Sequence, residues 1–312
     1  MSPRVAGLLW CATFVALDAL QAVAYGNFLQ RLDGFLVGLL VFGFCSLACL
    51  TWVAWKAPHE IAIARSEPAA VLWMGVTSAG GWLTYLGALQ LIEPAVALTV
   101  VSGALPLTMI VAGHLGIGGA EPVHNRVEVA GNLVLALGIV ALAAFTLLGW
   151  SGFVRGGALV GLFGLVLSIL SGAMFAGMIL ISYRLERRGV GPAASFVLRF
   201  PLYLVLAFAG TLMGLDDKGP APADDLMLAL VVGVPLLALP IYAIQKAVAL
   251  ASSLTIGTAA GLTPVLVFLL QMIEGRVDYS RATVIGLLIY MAGALLAAAG
   301  RARAIGDAAR PH

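Results

Sequence analysis

GALQLIEPAVALTVVSGALPLTMIVAG, residues 87–113, returns in altered form as QKAVALASSLTIGTAAGLTPVLVFLLQ, residues 245–271. Each stretch holds the end of one apolar run, a short break, and a second run with a proline inside it. Pro106 falls opposite Pro264. Further on, Gly131 and Gly138 recur as Gly286 and Gly293, the same seven-residue step in an apolar run after a polar loop. Two copies of one helical unit follow from this pattern. Their period is far longer than a solenoid repeat and their runs are of membrane length, so the copies read as the two parts of a transporter.

Composition points the same way. The chain is 62% hydrophobic and 10% charged, with a mean hydropathy of +1.05, which is more apolar surface than a soluble core of this size can hide. A net charge of +2 on scattered basic residues gives no nucleic-acid footprint. Cys11, Cys45 and Cys49 lie inside apolar runs with no CxxC pair or histidine cluster, so they suggest neither a disulfide framework nor a metal site and read as small buried hydrophobes. No cofactor is expected.

Apolar runs bounded by polar or Gly/Pro breaks fall at about 5–26, 34–55, 69–91, 94–114, 128–149, 157–182, 194–214, 226–248, 251–272 and 282–300. Each is near the length a helix needs to cross a bilayer, and none alternates as a barrel strand does. The first run resembles a signal peptide in position, but it contains Asp18 and completes a five-helix set, so it is kept as a helix. The longest hydrophilic connection, Asp216 to Asp225, is too short for a soluble domain. The expected fold is therefore all-α and integral to the membrane, with ten transmembrane helices as two inverted five-helix repeats. The first repeat is residues 1–150, the second residues 151–312 with a short cytoplasmic tail. With Arg199 and Lys246 set aside, ten basic residues lie on the side of the termini and five opposite, which puts both termini in the cytoplasm.

In these features the sequence resembles the ten-helix, EamA-like exporters of the drug/metabolite transporter superfamily. The residues that carry the resemblance run from Ala88-Leu89 through Pro106 to Gly138, from Ala247 through Pro264 to Gly293, and include Arg199-Phe200 at the start of the seventh span. The resemblance covers nearly the whole chain. It implies a secondary transporter, usually an exporter of amino acids or other small metabolites, in a bacterial cytoplasmic (inner) membrane. It also implies a central cavity lined by spans 1, 3, 4, 6, 8 and 9.

Several polar residues inside spans are candidates for substrate binding. Asp18, Gln21 and Tyr25 lie on one stripe of the first span, and a carboxylate in mid-span is costly enough to be functional by default. No basic residue flanks Asp18 on its own helix, so its partner comes from another helix, a substrate ammonium or a proton, which makes the proton a candidate coupling ion. In the eighth span Tyr242, Gln245 and Lys246 form a second group. The ammonium of Lys246 either snorkels to the headgroups or meets a substrate carboxylate. Arg199 reads as a headgroup or loop anchor.

Trp82 with Tyr85, and Thr99 with Ser102, complete the set as binding wall, interfacial belt or packing. Pro106 and Pro264 are expected kinks and hinges, since each removes a backbone donor in mid-span. Pro235 and Pro240 do the same for the eighth span.

The leading function is export of a small polar or zwitterionic metabolite by alternating access, with the lipid bilayer as medium and a monomer or homodimer as the unit. The alternative is a multidrug or lipid-related carrier with an apolar cavity. An integral-membrane enzyme is a remote third, since His59, His114, His124 and His312 are scattered and no zinc-protease or serine-nucleophile motif occurs. Orientation is open to direct measurement. A reporter active only outside the cytoplasm stays silent when fused after His312 and is active when inserted near Lys218; the reverse pattern overturns the expected topology.

Overall fold

The computed structural model describes residues 3–25, 32–117, 120, 122–123, 125–151, 154, 156–216, 218–274 and 280–307. Among these the regular structure is helical, apart from a single antiparallel bridge between Ile92 and Val154. The helices are α1 (Pro3–Leu20), α2 (Gly34–Lys56), α3 (Pro58–Ser66), α4 (Pro68–Leu91), α5 (Pro94–His114), α6 (Arg126–Leu147) and α7 (Ala158–Arg187). They continue as α8 (Pro192–Arg199), α9 (Pro201–Leu212), α10 (Ala223–Gly233), α11 (Leu239–Val248), α12 (Ser253–Ala260), α13 (Thr263–Glu274) and α14 (Arg281–Asp307). A π turn, Gln21–Tyr25, extends α1, and another, Val234–Ala238, joins α10 to α11.

Nine helical stretches among the described residues are long and apolar enough to cross a membrane. They match nine of the ten expected runs. The remaining run is α4, which at 24 residues is long enough but is diluted by Thr77, Ser78, Trp82, Thr84 and Tyr85. Large apolar side chains such as Leu133, Leu159 and Ile273 are exposed at 67%, 82% and 83%, as a lipid-facing surface requires. The chain is an all-α, multi-pass membrane protein.

Local chemistry sets the helix ends. Proline occupies the first turn of α3, α5, α8 and α9, where its missing N–H costs nothing. The Asp33 carboxylate accepts from the N–H groups of Phe35 and Leu36, and Asn125 Oδ1 accepts from that of Glu128. Gly149 closes α6 at φ +72, and the N–H of Trp150 returns to the carbonyl of Phe145, a closure that only glycine makes without strain. Within the helices most hydroxyls are absorbed locally. Thr99, Thr146, Ser168 and Ser182 each donate to the carbonyl four residues earlier, whereas Ser171 donates across to Gly81.

The chain divides into two compact units, residues 1–80 with 177–251 and residues 81–176 with 252–312. Each unit draws on both residues 1–150 and residues 151–312; two of the three divisions fall inside α4 and α7, and the third lies between α11 and α12.

In the first unit α2 runs antiparallel to α8 and α9. Phe42 stacks on Phe200 at 4.4 Å and meets the edge of Tyr203 at 5.6 Å, and Gly38 leaves room for the Tyr203 hydroxyl. Each of these antiparallel spans begins under a carboxylate borrowed from the connection that leaves the other. The N–H of Gly191, ahead of α8, donates to Glu60 at 2.8 Å, and the N–H of Gly34, at the start of α2, donates to Asp216 at 2.9 Å. Glu67 is further paired with Arg184 and Arg188, and Asp216 with Lys218.

In the second unit α6 and α14 pack antiparallel along a line of glycines. A Cβ on Gly131 would lie 2.2 Å from the backbone nitrogen of Ala297, and one on Gly138 2.6 Å from the backbone of Tyr290. A Cβ on Gly293 would lie 2.2 Å from the nitrogen of Leu135, and one on Gly286 2.5 Å from the side chain of Leu142. Seven residues forward on α6 is thus seven backward on α14, and the two helices exchange roles from one contact to the next. Such approach leaves no room for any side chain. Gly131→Ala and Gly293→Ala should each cost about 1–3 kcal/mol by forcing the helices apart. Gly157→Ala, where a Cβ meets nothing within 4 Å, should leave the melting temperature of the purified protein unchanged.

Candidate functional site

The candidate residues divide between the two units. In the first, α1 runs antiparallel to α11: Gly7 lies against the carbonyl of Leu250, and the Trp10 ring meets Tyr242 edge-on at 6.2 Å. Lys246 is half-buried with its ammonium 5.6 Å from the centre of the Tyr242 ring, so a neighbouring aromatic face takes up its charge. Asp18 and Gln21, both half-buried, lie beyond Trp10 in the other direction. Asp18 is eight residues past Trp10, about 12 Å further along the axis at 1.5 Å per residue. The side chain of Tyr25 lies outside the described portion.

Around the Asp18 end the two π turns pack against each other. The second contains Pro235 and is followed by Pro240. A π turn widens the helix by one residue per turn and leaves backbone groups out of the regular ladder, and such turns are frequent at functional sites. The eighth span is thus irregular where its prolines predicted, and the irregularity of α1 just after Asp18 had no proline to announce it.

Arg199 departs from its expected role. It is 2% exposed and does not snorkel to a surface. Its guanidinium meets the sulfur of Met178 on α7 and lies 5.8 Å from the Phe200 ring centre. The reason is the packing of α8, which lies against both α2 and α11, so the last residue of that short helix is turned inward. Gln245, 3% exposed, reaches the same helix one turn on, its amide nitrogen 3.4 Å from Ser182 Oγ.

In the second unit Trp82 contacts Tyr85 and Phe175 edge-on at 6.3 and 5.8 Å, a cluster made possible by Gly81, whose missing Cβ admits the Phe175 ring. Thr99 and Ser102 are buried on α5. Thr99 lines a small, mainly apolar pocket with Pro264, Phe268 and Gln271, but its hydroxyl is already spent on Ala95.

The two prolines differ. Pro106 sits within the unbroken α5, whereas Pro264 stands in the first turn of α13, after a break at Gly261-Leu262. The N–H of Val265 reaches only to Leu262, and the carbonyl of Gly261 instead accepts the Tyr290 hydroxyl at 2.8 Å. Position 135 on α6, which packs against Gly293 of α14, carries a leucine and has no hydroxyl to give.

Sequence reasoning passed over other buried polar groups of this unit. Glu93 accepts from Thr283 at 2.8 Å, and Arg301 donates to Thr255 and Ser252. Tyr290 had a legible signal: it lies four residues after Gly286 and three before Gly293, on the glycine face.

No family model matches the chain, and no curated protein matches it. Solved structures do: 28 chains match, among them a crystallised protein with a TM-score of 0.68 and 20% identity, over 96% of this chain and 99% of that one. At that identity the likeness bears on the fold alone.

If the break at Pro264 is a hinge, Pro264→Ala supplies the missing N–H and slows amide hydrogen exchange around residues 261–266 while leaving folded protein in the membrane. Pro106→Ala, in an unbroken helix, has the smaller effect. Unchanged exchange in Pro264→Ala overturns the hinge reading.

Proposed function

We propose that the protein is a secondary transporter that exports a small polar or zwitterionic metabolite, an amino acid or a compound derived from one, across a bacterial cytoplasmic membrane. In this reading α4 is a tenth span, and the chain consists of two inverted five-helix repeats, EamA-like in kind, with both termini cytoplasmic. The observation that carries it is the role exchange seen inside each unit. Gly131 and Gly138 of α6 receive the backbone of α14 as Gly293 receives that of α6, and Glu60 caps the seventh span as Asp216 caps the second. Paired, oppositely directed copies are what alternating access needs, because exchanging their conformations yields inward-open and outward-open states of similar energy.

Polar side chains within the spans give such a protein its cargo. Within the first unit Asp18 would take an ammonium or exchange a proton, and Gln21 and Gln245 would supply hydrogen bonds; within the second, Trp82 and Tyr85 offer an aromatic wall of their own. The mainly apolar pocket beside Pro264 favours the second reading, a carrier of multidrug or lipid-related cargo.

Metabolite profiling of medium and cell contents, with the gene deleted and overexpressed, tests the proposal. A polar metabolite should accumulate inside on deletion and outside on overexpression. Asp18→Asn at normal membrane level should reduce that export at least tenfold. Profiles that do not change in either direction sink the transport reading, and wild-type export by Asp18→Asn removes Asp18 from the site.

A further inference from the structure

Arg199 presents a charge that, among the described residues, no carboxylate meets. The side chain lies within the stretch Pro192–Leu212, one of the nine apolar enough to cross a membrane, and it is 2% exposed. Among the described residues its polar contact is the thioether sulfur of Met178, a weak acceptor, and its Nε has no hydrogen-bond partner. Among the described residues the ion pairs of the first unit include those of Glu67 with Arg184 and Arg188 and of Asp216 with Lys218, and none involves Arg199. A guanidinium carries five N–H donors. Burying it without a counter-charge costs several kcal/mol, and that cost persists in the folded protein unless something repays it.

The surroundings indicate what would. Met178 and Ser182 are four residues apart on one face of α7, and Arg199 reaches the first as Gln245 reaches the second. The guanidinium and the carboxamide thus meet α7 at points about one helical turn apart, with the Phe200 ring centre 5.8 Å from the guanidinium carbon. A fork of donors with a neighbouring amide is suited to a carboxylate, which accepts two parallel N–H bonds from guanidinium.

Lys246, which also lies over an aromatic ring, is by contrast only half-buried, so its ammonium bears less of the desolvation cost that Arg199 bears. We infer that Arg199, assisted by Gln245, is the receptor for the carboxylate of the transported compound, in place of Lys246. This assignment rests on the transport reading and narrows it to carboxylate-bearing cargo.

The test is thermal unfolding of the purified full-length protein in detergent, in wild type, Arg199→Met and Arg199→Lys. Each of the twenty standard amino acids is added as a probe, alongside its carboxamide, and chloride and sulfate serve as inorganic anions. A receptor kept at the expense of stability predicts that Arg199→Met unfolds, without ligand, at the wild-type temperature or above it. At least one amino acid should raise the wild-type unfolding temperature by a few degrees. Its carboxamide should not, Arg199→Met should lose the shift, and Arg199→Lys should keep part of it.

An Arg199→Met protein that unfolds well below wild type assigns the arginine to structure and overturns the inference. So does equal protection by chloride or sulfate, and so does a panel in which no amino acid protects the wild type. If export of the metabolite found by profiling falls in Asp18→Asn but is unchanged in Arg199→Met, the carboxylate receptor fails while the transport function stands.

Discussion

A backbone carbonyl in lipid has no water to turn to, and every irregular turn in this protein has to answer for that. The break in the ninth span shows the constraint at its sharpest. Pro264 brings no N–H, the ladder shifts by one residue, and the orphaned carbonyl of Gly261 is met by the hydroxyl of Tyr290. Tyr290 can stand there only because Gly138 lets its backbone approach and Gly103 lets its ring pass. One hydrogen bond thus ties proline, tyrosine and two glycines into a single requirement. α5, which also carries a proline, is unbroken, and the α6 residue against Gly293 is Leu135, which has no hydroxyl to offer. Similar sequences need not bend alike.

Much of the fold was legible because lipid simplifies the code. Apolar length gave the helices, and glycine spacing gave the faces of α6 and α14. What failed to show were interactions between residues far apart in sequence. Nothing around Glu60 announces that its carboxylate will cap a helix more than a hundred residues later, and Asp216 looks like a loop residue until Gly34 is placed beside it. The two compact units were hidden for the same reason, since each joins stretches far apart in the sequence.

The candidate site was read less well. Asp18, Gln21 and Gln245 could be named from the cost of polar groups in mid-span, but Arg199 was misjudged. Long basic side chains near a span end usually reach for the surface, and the rule fails where the helix is short and flanked on both sides, as α8 is by α2 and α11. Thr99 donates its hydroxyl proton to its own helix and beside the pocket keeps only its acceptor side. A polar residue becomes available to a ligand only after the backbone's claims on it are settled.

The interleaving of the two units also sets the order in which the chain can be built. Residues 1–80 leave the ribosome long before residues 177–251, with which they make one unit, and α6 emerges more than a hundred residues ahead of α14. The early helices must wait in the bilayer with their glycine faces and helix starts uncovered. For that interval the uncapped N–H of Gly34 and the bare groove on α6 are exposed to whatever else is in the membrane. Nascent chains of this kind are most vulnerable to mispairing in the middle of their own synthesis, and that hazard ends only when the last helix arrives.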